Sequence, residues 1–363
     1  MQFRRRSNNP GSCRTGRNGF LYVGALREIL VVGLLGTVAF ALMCQTNAII
    51  RQHYSAKKKE TLCNHSEPVL AIALDRDRQS LLVQTWGKKV EEVSLDGCRV
   101  SNKATPLDFR SIEISETGST TITLTEWGDG VLWYHGVEIT RLDDVLLYEE
   151  ISTRDHSTAD VHISMDGSLA MFISHAGRVV VWDLTSIEPT RCEYKLGQFV
   201  YTNRLSPDGR SLLIVSEERD VLIFDVRTGA LRVASAKIDE RASCAAWSRD
   251  NRRFAVADHG GMISLFDTES GEQLWKLKNE TLFTRVMALS ADGNRLIVGG
   301  FDREIRIWDW TSSPESPLVL NGNTALVRNI ILADSDTKLI CGCLDGTIRE
   351  WSLETQKMTR QIR

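Results

Sequence analysis

Hydrophobic residues in this chain come in two kinds of run. One is a single uncharged stretch, Ile29 to Ile50, 22 residues long. The other is a series of short apolar runs, among them SLLIVS (Ser211–Ser216), VLIFD (Val221–Asp225), RLIVGG (Arg295–Gly300) and IRIWD (Ile305–Asp309). Short runs rich in Val, Ile and Leu, bounded by Asp-Gly and similar turn residues, predict strands joined by tight hairpins. In each group the run after the Asp-Gly turn is continuously apolar rather than alternating, which predicts a strand buried on both faces.

The strands return at a fixed period. Turn signals at Asp166-Gly167, Asp208-Gly209, Asp250-Asn251 and Asp292-Gly293 are 42 residues apart, and so are the bulky residues that close the following strands, Trp182, Phe224, Phe266 and Trp308. Turn and bulky residue keep a separation of 16, which extends the series to Ser335–Trp351, Thr117–Trp133 and Asp77–Val93. Seven copies of one unit follow. The 49-residue step from Trp133 to Trp182 places a seven-residue insertion within Tyr134 to His156. Each copy reads as three strong strands and a weaker fourth, PLVL (Pro317–Leu320) in the sixth. Four-stranded sheets fanned about an axis bury their inner strands on both faces and keep their edges short.

SPDGR (Ser206–Arg210), SADGNRLIVGGFDREIRIWD (Ser290–Asp309), LDGTIREW (Leu344–Trp351) and VVVWD (Val179–Asp183) resemble the WD-repeat (Trp-Asp repeat) β-propeller family over roughly residues 68–363. The resemblance implies an all-β, seven-bladed β-propeller that serves as a protein-interaction scaffold. It makes Trp133, Trp182, Phe224, Phe266, Trp308 and Trp351 structural blade residues, with Asp302 and Asp345 as the family's Asp between second and third strands. The family's Gly-His is missing, its nearest match being Gly322-Asn323, so the ring is expected to lean on apolar packing. The last blade could be completed by the N-terminal end, as is usual in the family, or by KMTRQIR (Lys357–Arg363).

Charge refines this picture. The chain of 363 residues has a net charge of −3, but residues 1–60 carry ten basic and two acidic residues, and the remainder 34 basic and 45 acidic. An acidic body repels phosphate backbones and excludes a broad nucleic-acid-binding face. The domain organisation is a basic segment (1–28), a transmembrane helix or uncleaved signal anchor (29–50), a polar stalk (51–67) and the propeller (68–363). Twenty mostly apolar residues span a bilayer. Arginines ahead of the span favour an N-terminus inside and a propeller on the extracytoplasmic side. Ala39-Phe40-Ala41 offers the alternative of signal cleavage and secretion.

No nucleophile elbow, Walker loop, HExxH pair or EF-hand loop occurs, and no enzyme activity, cofactor or metal site is expected. His162 is expected in the core or channel rather than as a base. Cys341-Gly342-Cys343 reads as small packed residues rather than zinc ligands, and Cys63 with Cys98 as the disulfide candidate in an exported body. Asn64-His65-Ser66 and Asn279-Glu280-Thr281 match the glycosylation sequon.

The most informative pattern is a ring position. Seven residues before each turn marker stand Leu70, Arg110, Ala159, Tyr201, Ser243, Arg285 and Arg328, near the top mouth. Trp86 and Trp127 lie on top turns of the first two copies. Trp86, Arg110, Trp127, Tyr201, Arg285 and Arg328 form a candidate partner-binding arc for an acidic peptide or loop, because Trp, Tyr and Arg dominate interface hot spots. The competing expectation is that the arginines pair with neighbouring carboxylates and the tryptophans pack between blades. An exported propeller with a small-ligand or enzymatic site in its central channel is the alternative function. It needs carboxylates or His converging from several first strands.

Overall fold

The computed structural model describes residues 67–362, except 76–79, 86–89, 96–99, 104–108, 116–119, 126–128, 135–136, 143–159, 187–188 and 280–283. The expected membrane segment and stalk, Cys63, Cys98, the Asn64 sequon, Trp86 and Trp127 lie outside the described residues. Among the described residues no helix is long and apolar enough to cross a membrane.

The described residues form seven four-stranded antiparallel sheets, each built from four consecutive strands in chain order. These are the blades, numbered 1 to 7 along the chain. Their first strands are Val69–Asp75, Phe109–Ile114, Asp160–Ile163, Val200–Leu205, Ala242–Trp247, Thr284–Leu289 and Val327–Ala333. First strands of adjacent blades touch one another, so they line the axis. The fourth strand of blade 6 runs from Ser313 to Leu320, four residues earlier than the apolar PLVL alone indicated, because backbone pairing with the third strand continues past the apolar residues to Asp309↔Ser313. Lys357–Gln361 supplies the outer strand of blade 7, so the C-terminal segment completes that sheet. Closure of the ring is then apolar. Val69, Leu81 and Val83 of blade 1 pack on Ala333, Ile340 and Ile348 of blade 7. The Asn329 amide adds a hydrogen bond to the Leu70 carbonyl at 2.9 Å. The fourth strand of blade 2, Val137–Leu142, ends well before Asp160, which assigns the insertion to the connection between these two blades.

The turn markers have one physical cause. Ser164, Ser206, Ser248 and Ser290 each donate their hydroxyl to the Asp two residues on, at 2.6 Å. In blades 3, 4 and 6 the turn then passes through Gly167, Gly209 and Gly293 at φ of 75°, 71° and 68°, where a side chain is strained. Blade 5 manages the same turn with Asn251, at φ 60°.

Apolar seams hold the blades together. The bulky residue closing a third strand packs back on the preceding blade: Phe224 against blade 3, Phe266 against blade 4, Trp308 against blade 5 and Trp351 against blade 6. The Asp residues vary in role. Asp345 accepts from the hydroxyls of Thr324 and Thr347, whereas Asp302 pairs with Arg306 of its own blade.

One polar chain crosses the inner strands of blades 2 to 4. His162, 2% exposed, faces Glu113 Oε1 at 3.1 Å through Nδ1 and Asn203 Oδ1 through Nε2 at 2.5 Å. The Asn203 amide donates to Asp160 Oδ2 at 2.8 Å, and the Ile163 backbone N–H to Glu113 Oε2 at 3.1 Å. With both ring nitrogens facing acceptors, imidazolium is the form that satisfies the site. Burial opposes that charge, and the Glu113 carboxylate overrides it, so the His162 pKa lies above its ordinary 6.5 despite the neighbouring Arg204. Burial likewise opposes the charged Glu113, and the imidazolium with its hydrogen bond holds the carboxyl below its ordinary 4.5.

Two predictions follow from this packing. Trp308→Ala should cost about 3–5 kcal/mol in denaturant melting, the usual range for an aromatic lost from a core; a loss under ~1 kcal/mol contradicts the seam assignment. The His162 contribution is complete below pH 6.5 and is lost as pH rises through the raised value; that of Glu113 is present above 4.5 and is lost as pH falls through the lowered one. Melts across this range should show an alkaline loss in the parent chain that Glu113→Gln flattens. Equal alkaline slopes in both proteins contradict the pairing.

Candidate functional site

The ring position identified in the repeats has a backbone cause. In blades 1, 2, 4, 5, 6 and 7 the first strand slips register by one residue at Leu70, Arg110, Tyr201, Ser243, Arg285 and Arg328. A bulged residue drops out of the ladder and its side chain is re-aimed. Ala159, the blade 3 member, lies outside the described residues. In blades 4, 5 and 7 the turn between second and third strands sits beside the bulge. It is fixed by backbone bonds to the segment ahead of the first strand, Glu217 N–H to Phe199, His259 N–H to Arg241 and Leu344 N–H to Leu326. Bulge and turn therefore share one rim, the top.

Arg285 and Arg328 are neighbours on that rim. Neither makes an ion pair or a hydrogen bond through its side chain with a described residue. Partial burial and the Arg285 charge push the Arg328 pKa down to about 10. Two unneutralised guanidiniums that repel each other favour an anion between them. Toward blade 5, burial and then Arg241 and Arg285 lower the His259 pKa against the pull of Asp258. Arg241 stacks on the Tyr201 ring, 4.0 Å from its centroid. His175 lies 5.7 Å from Tyr201 and 5.5 Å from Phe199, centroid to centroid, and its Nδ1–H donates to the Val200 carbonyl at 2.6 Å. Phe199 and Phe301 stand out on the same rim, 52% and 60% exposed.

The structure thus brings Arg285 and Arg328 together and joins Tyr201 to Arg241. Arg110 occupies its bulge, with only its backbone described. Three rim residues had escaped the repeat analysis. Phe301 carried a signal: nine residues after the turn marker, copies 1, 3, 5 and 6 hold Trp86, His175, His259 and Phe301. Phe199 and Arg241 lie in connections outside the repeated positions.

The remaining candidates are packed groups. Cys341 and Cys343 are buried side by side, 3.4 and 3.8 Å from Asn323 Oδ1, with Arg349 at 3.6 Å from the Cys343 sulfur. The described residues include no cluster of three or more His, Cys, Asp or Glu placed for a metal ion. Asn279 is 2% exposed and donates to Thr284 Oγ1 at 3.2 Å, so this sequon is closed to a glycan in the folded blade.

Comparison with known proteins agrees with this geometry. The family profile described as WD domain, G-beta repeat, matches residues 271–309 and 315–352. Each match starts near the outer strand of one blade and ends on the third strand of the next. Among curated relatives, apoptotic protease-activating factor 1 of Rattus norvegicus is 23% identical over 255 residues, 60% of this chain and 20% of that protein. Protein groucho of Drosophila melanogaster is 22% identical over 169 residues, 44% of this chain and 23% of that protein. The serine-threonine kinase receptor-associated protein of Gallus gallus is 29% identical over 115 residues, 32% of each chain. The aligned part thus spans between a fifth and a third of these relatives' length. Seven sheets in the expected register, seams closed by the repeated aromatics, the profile matched by two of the seven repeats and the WD-repeat relatives together support a WD-repeat family for this seven-bladed propeller.

Proposed function

We propose that this chain is a membrane-anchored protein-interaction scaffold, without chemistry of its own, whose top rim takes an acidic segment of a partner protein. The observation that carries the reading is the Arg285–Arg328 pair, charged, close and without a carboxylate partner among the described residues. Around it stand Phe301, Phe199 and the Tyr201–Arg241 stack, an aromatic and cationic surface suited to a carboxylate-rich loop. Two of the relatives are named as a receptor-associated protein and a protease-activating factor, and both names describe action on other proteins. Anchoring rests on the 22 uncharged residues of Ile29 to Ile50. It places the propeller outside the cytoplasm, or in the secreted fraction if the segment is cleaved.

Affinity capture of the full-length protein from membranes, with mass spectrometry of its own N-terminus, tests both parts. An intact N-terminus and resistance to alkaline extraction are expected of an anchor; a new N-terminus after Ala41 shows secretion instead. Arg285→Glu with Arg328→Glu should weaken the principal captured partner about tenfold or more. Raising salt should weaken the parent complex in the same direction. Unchanged capture by the double variant overturns the rim.

A further inference from the structure

Two thiols of blade 7 stand inside its seam with blade 6. Cys341 and Cys343 lie on the second strand, Lys338–Cys343, two residues apart and so on one side of it. Both are buried, in a cluster with Ile297, Ile305, Leu320 and Val327. Gly342 between them faces the other way, where a Cβ would meet Val69 Cγ1 of blade 1 at 2.9 Å. The thiols are hydrogen-bonded to each other and share Asn323 Oδ1 as an acceptor.

The donors around them suit sulfur more negative than a thiol. In blade 2 the Trp133 indole N–H donates to Thr123 Oγ1 at 3.1 Å. The same ten-residue offset back from Trp351 leads to Cys341, and the Trp351 indole N–H is buried without a hydrogen-bond partner. A neutral thiol is a weak acceptor, whereas a thiolate at Cys341 would take this N–H. At Cys343 the buried Arg349 directs Nη1 to the sulfur at 3.6 Å. Its other bonds go to Thr347 Oγ1 at 2.6 Å and Thr324 Oγ1 at 2.9 Å, and both hydroxyls donate onward to Asp345. Guanidinium, not carboxylate, therefore faces the sulfur. Thr324 is exposed, which leaves the thiols a short way below the top connection.

We propose that Cys341 and Cys343 together bind copper(I) as a linear dithiolate. Soft thiolate ligands select this ion. Structural zinc takes four ligands, and among the described residues no group of three or more His, Cys, Asp or Glu is placed for a metal. Two residues of strand advance roughly 6.6 Å, wider than the roughly 4 Å between Cβ atoms that a disulfide takes. Two metal–sulfur bonds in line, each about 2.3 Å, set the sulfurs roughly 4.6 Å apart, which side chains leaning together from that spacing reach. Each thiol gives its proton to solvent as the ion enters, and no electron is transferred. The complex carries one net negative charge, which Arg349 offsets while Trp351 donates to the Cys341 sulfur. The site involves neither Arg285 nor Arg328 and does not depend on the rim.

Copper(I) is the probe, supplied anaerobically as its bathocuproine disulfonate complex to the purified, reduced full-length chain. The chain has eight cysteines, so the readout is the equivalent of copper that each variant loses. Cys341→Ser and Cys343→Ser should each lose the same equivalent, whereas Cys192→Ser and Cys244→Ser keep it. Trp351→Phe retains the ring and removes the N–H; it should weaken that equivalent about tenfold or more, the usual effect of an outer partner, and it decides the matter if a serine variant does not fold. X-ray absorption of the loaded chain should show two sulfur neighbours in line. An equivalent unchanged by both serine substitutions, affinity indifferent to Trp351→Phe, or tighter binding of zinc than of copper(I) at these cysteines overturns the site.

Discussion

A blade of this ring cannot stand alone. Its second strand is apolar on both faces, so it is satisfied only when a neighbour covers each side. That mutual dependence sets nearly everything else: the fixed period, the aromatic that leans back on the preceding sheet, and the closure of blade 7 on blade 1 through Val69 and Ile340. Polar contacts between blades are local additions to this apolar circuit. The Glu113–His162–Asn203–Asp160 chain ties three inner strands, and Asn329 reaches Leu70 across the closing seam.

Because the seams share this task, their differences carry meaning. Blades 6 and 7 approach their successors through glycine, which brings Val327 and Val69 within contact of bare backbone. Blade 1 holds Gln84 at the same position. The acidic body with a cationic arc at Arg285 and Arg328 favours attraction of acidic segments to that arc and away from the rest.

Much of the fold was legible because repetition turns weak signals into a strong one. Asp-Gly turns and closing aromatics repeat 42 residues apart, and a constant separation of 16 recovers even Asp77–Val93, where neither marker is typical. The ring of bulged residues was legible as a position but not as a bulge, since a register slip leaves no composition of its own. The His162 chain was hidden by sequence distance, its partners lying 49 and 41 residues away. Yet four residues before the turn marker, consecutive copies hold Glu113, His162 and Arg204 while the other four hold Ala or Ile, a charged cluster visible once the copies are stacked. Ring closure was undecided because Lys357–Gln361 is a polar outer strand whose pairing comes from the backbone. The burial of Asn279 could not be read from its sequon, because a three-residue pattern says nothing of burial.

The slipped residue at the head of the first strand has a consequence for how such a protein changes over time. Its backbone is exempt from the ladder, so exchanging its side chain leaves the pairing of Val200↔Ser216 or Thr284↔Gly300 on either side untouched. Leu70, Tyr201, Ser243 and Arg285 already show how different the occupants are. Recognition on the rim can therefore drift or be redesigned residue by residue, with heritable variation confined to specificity while the scaffold beneath keeps its stability.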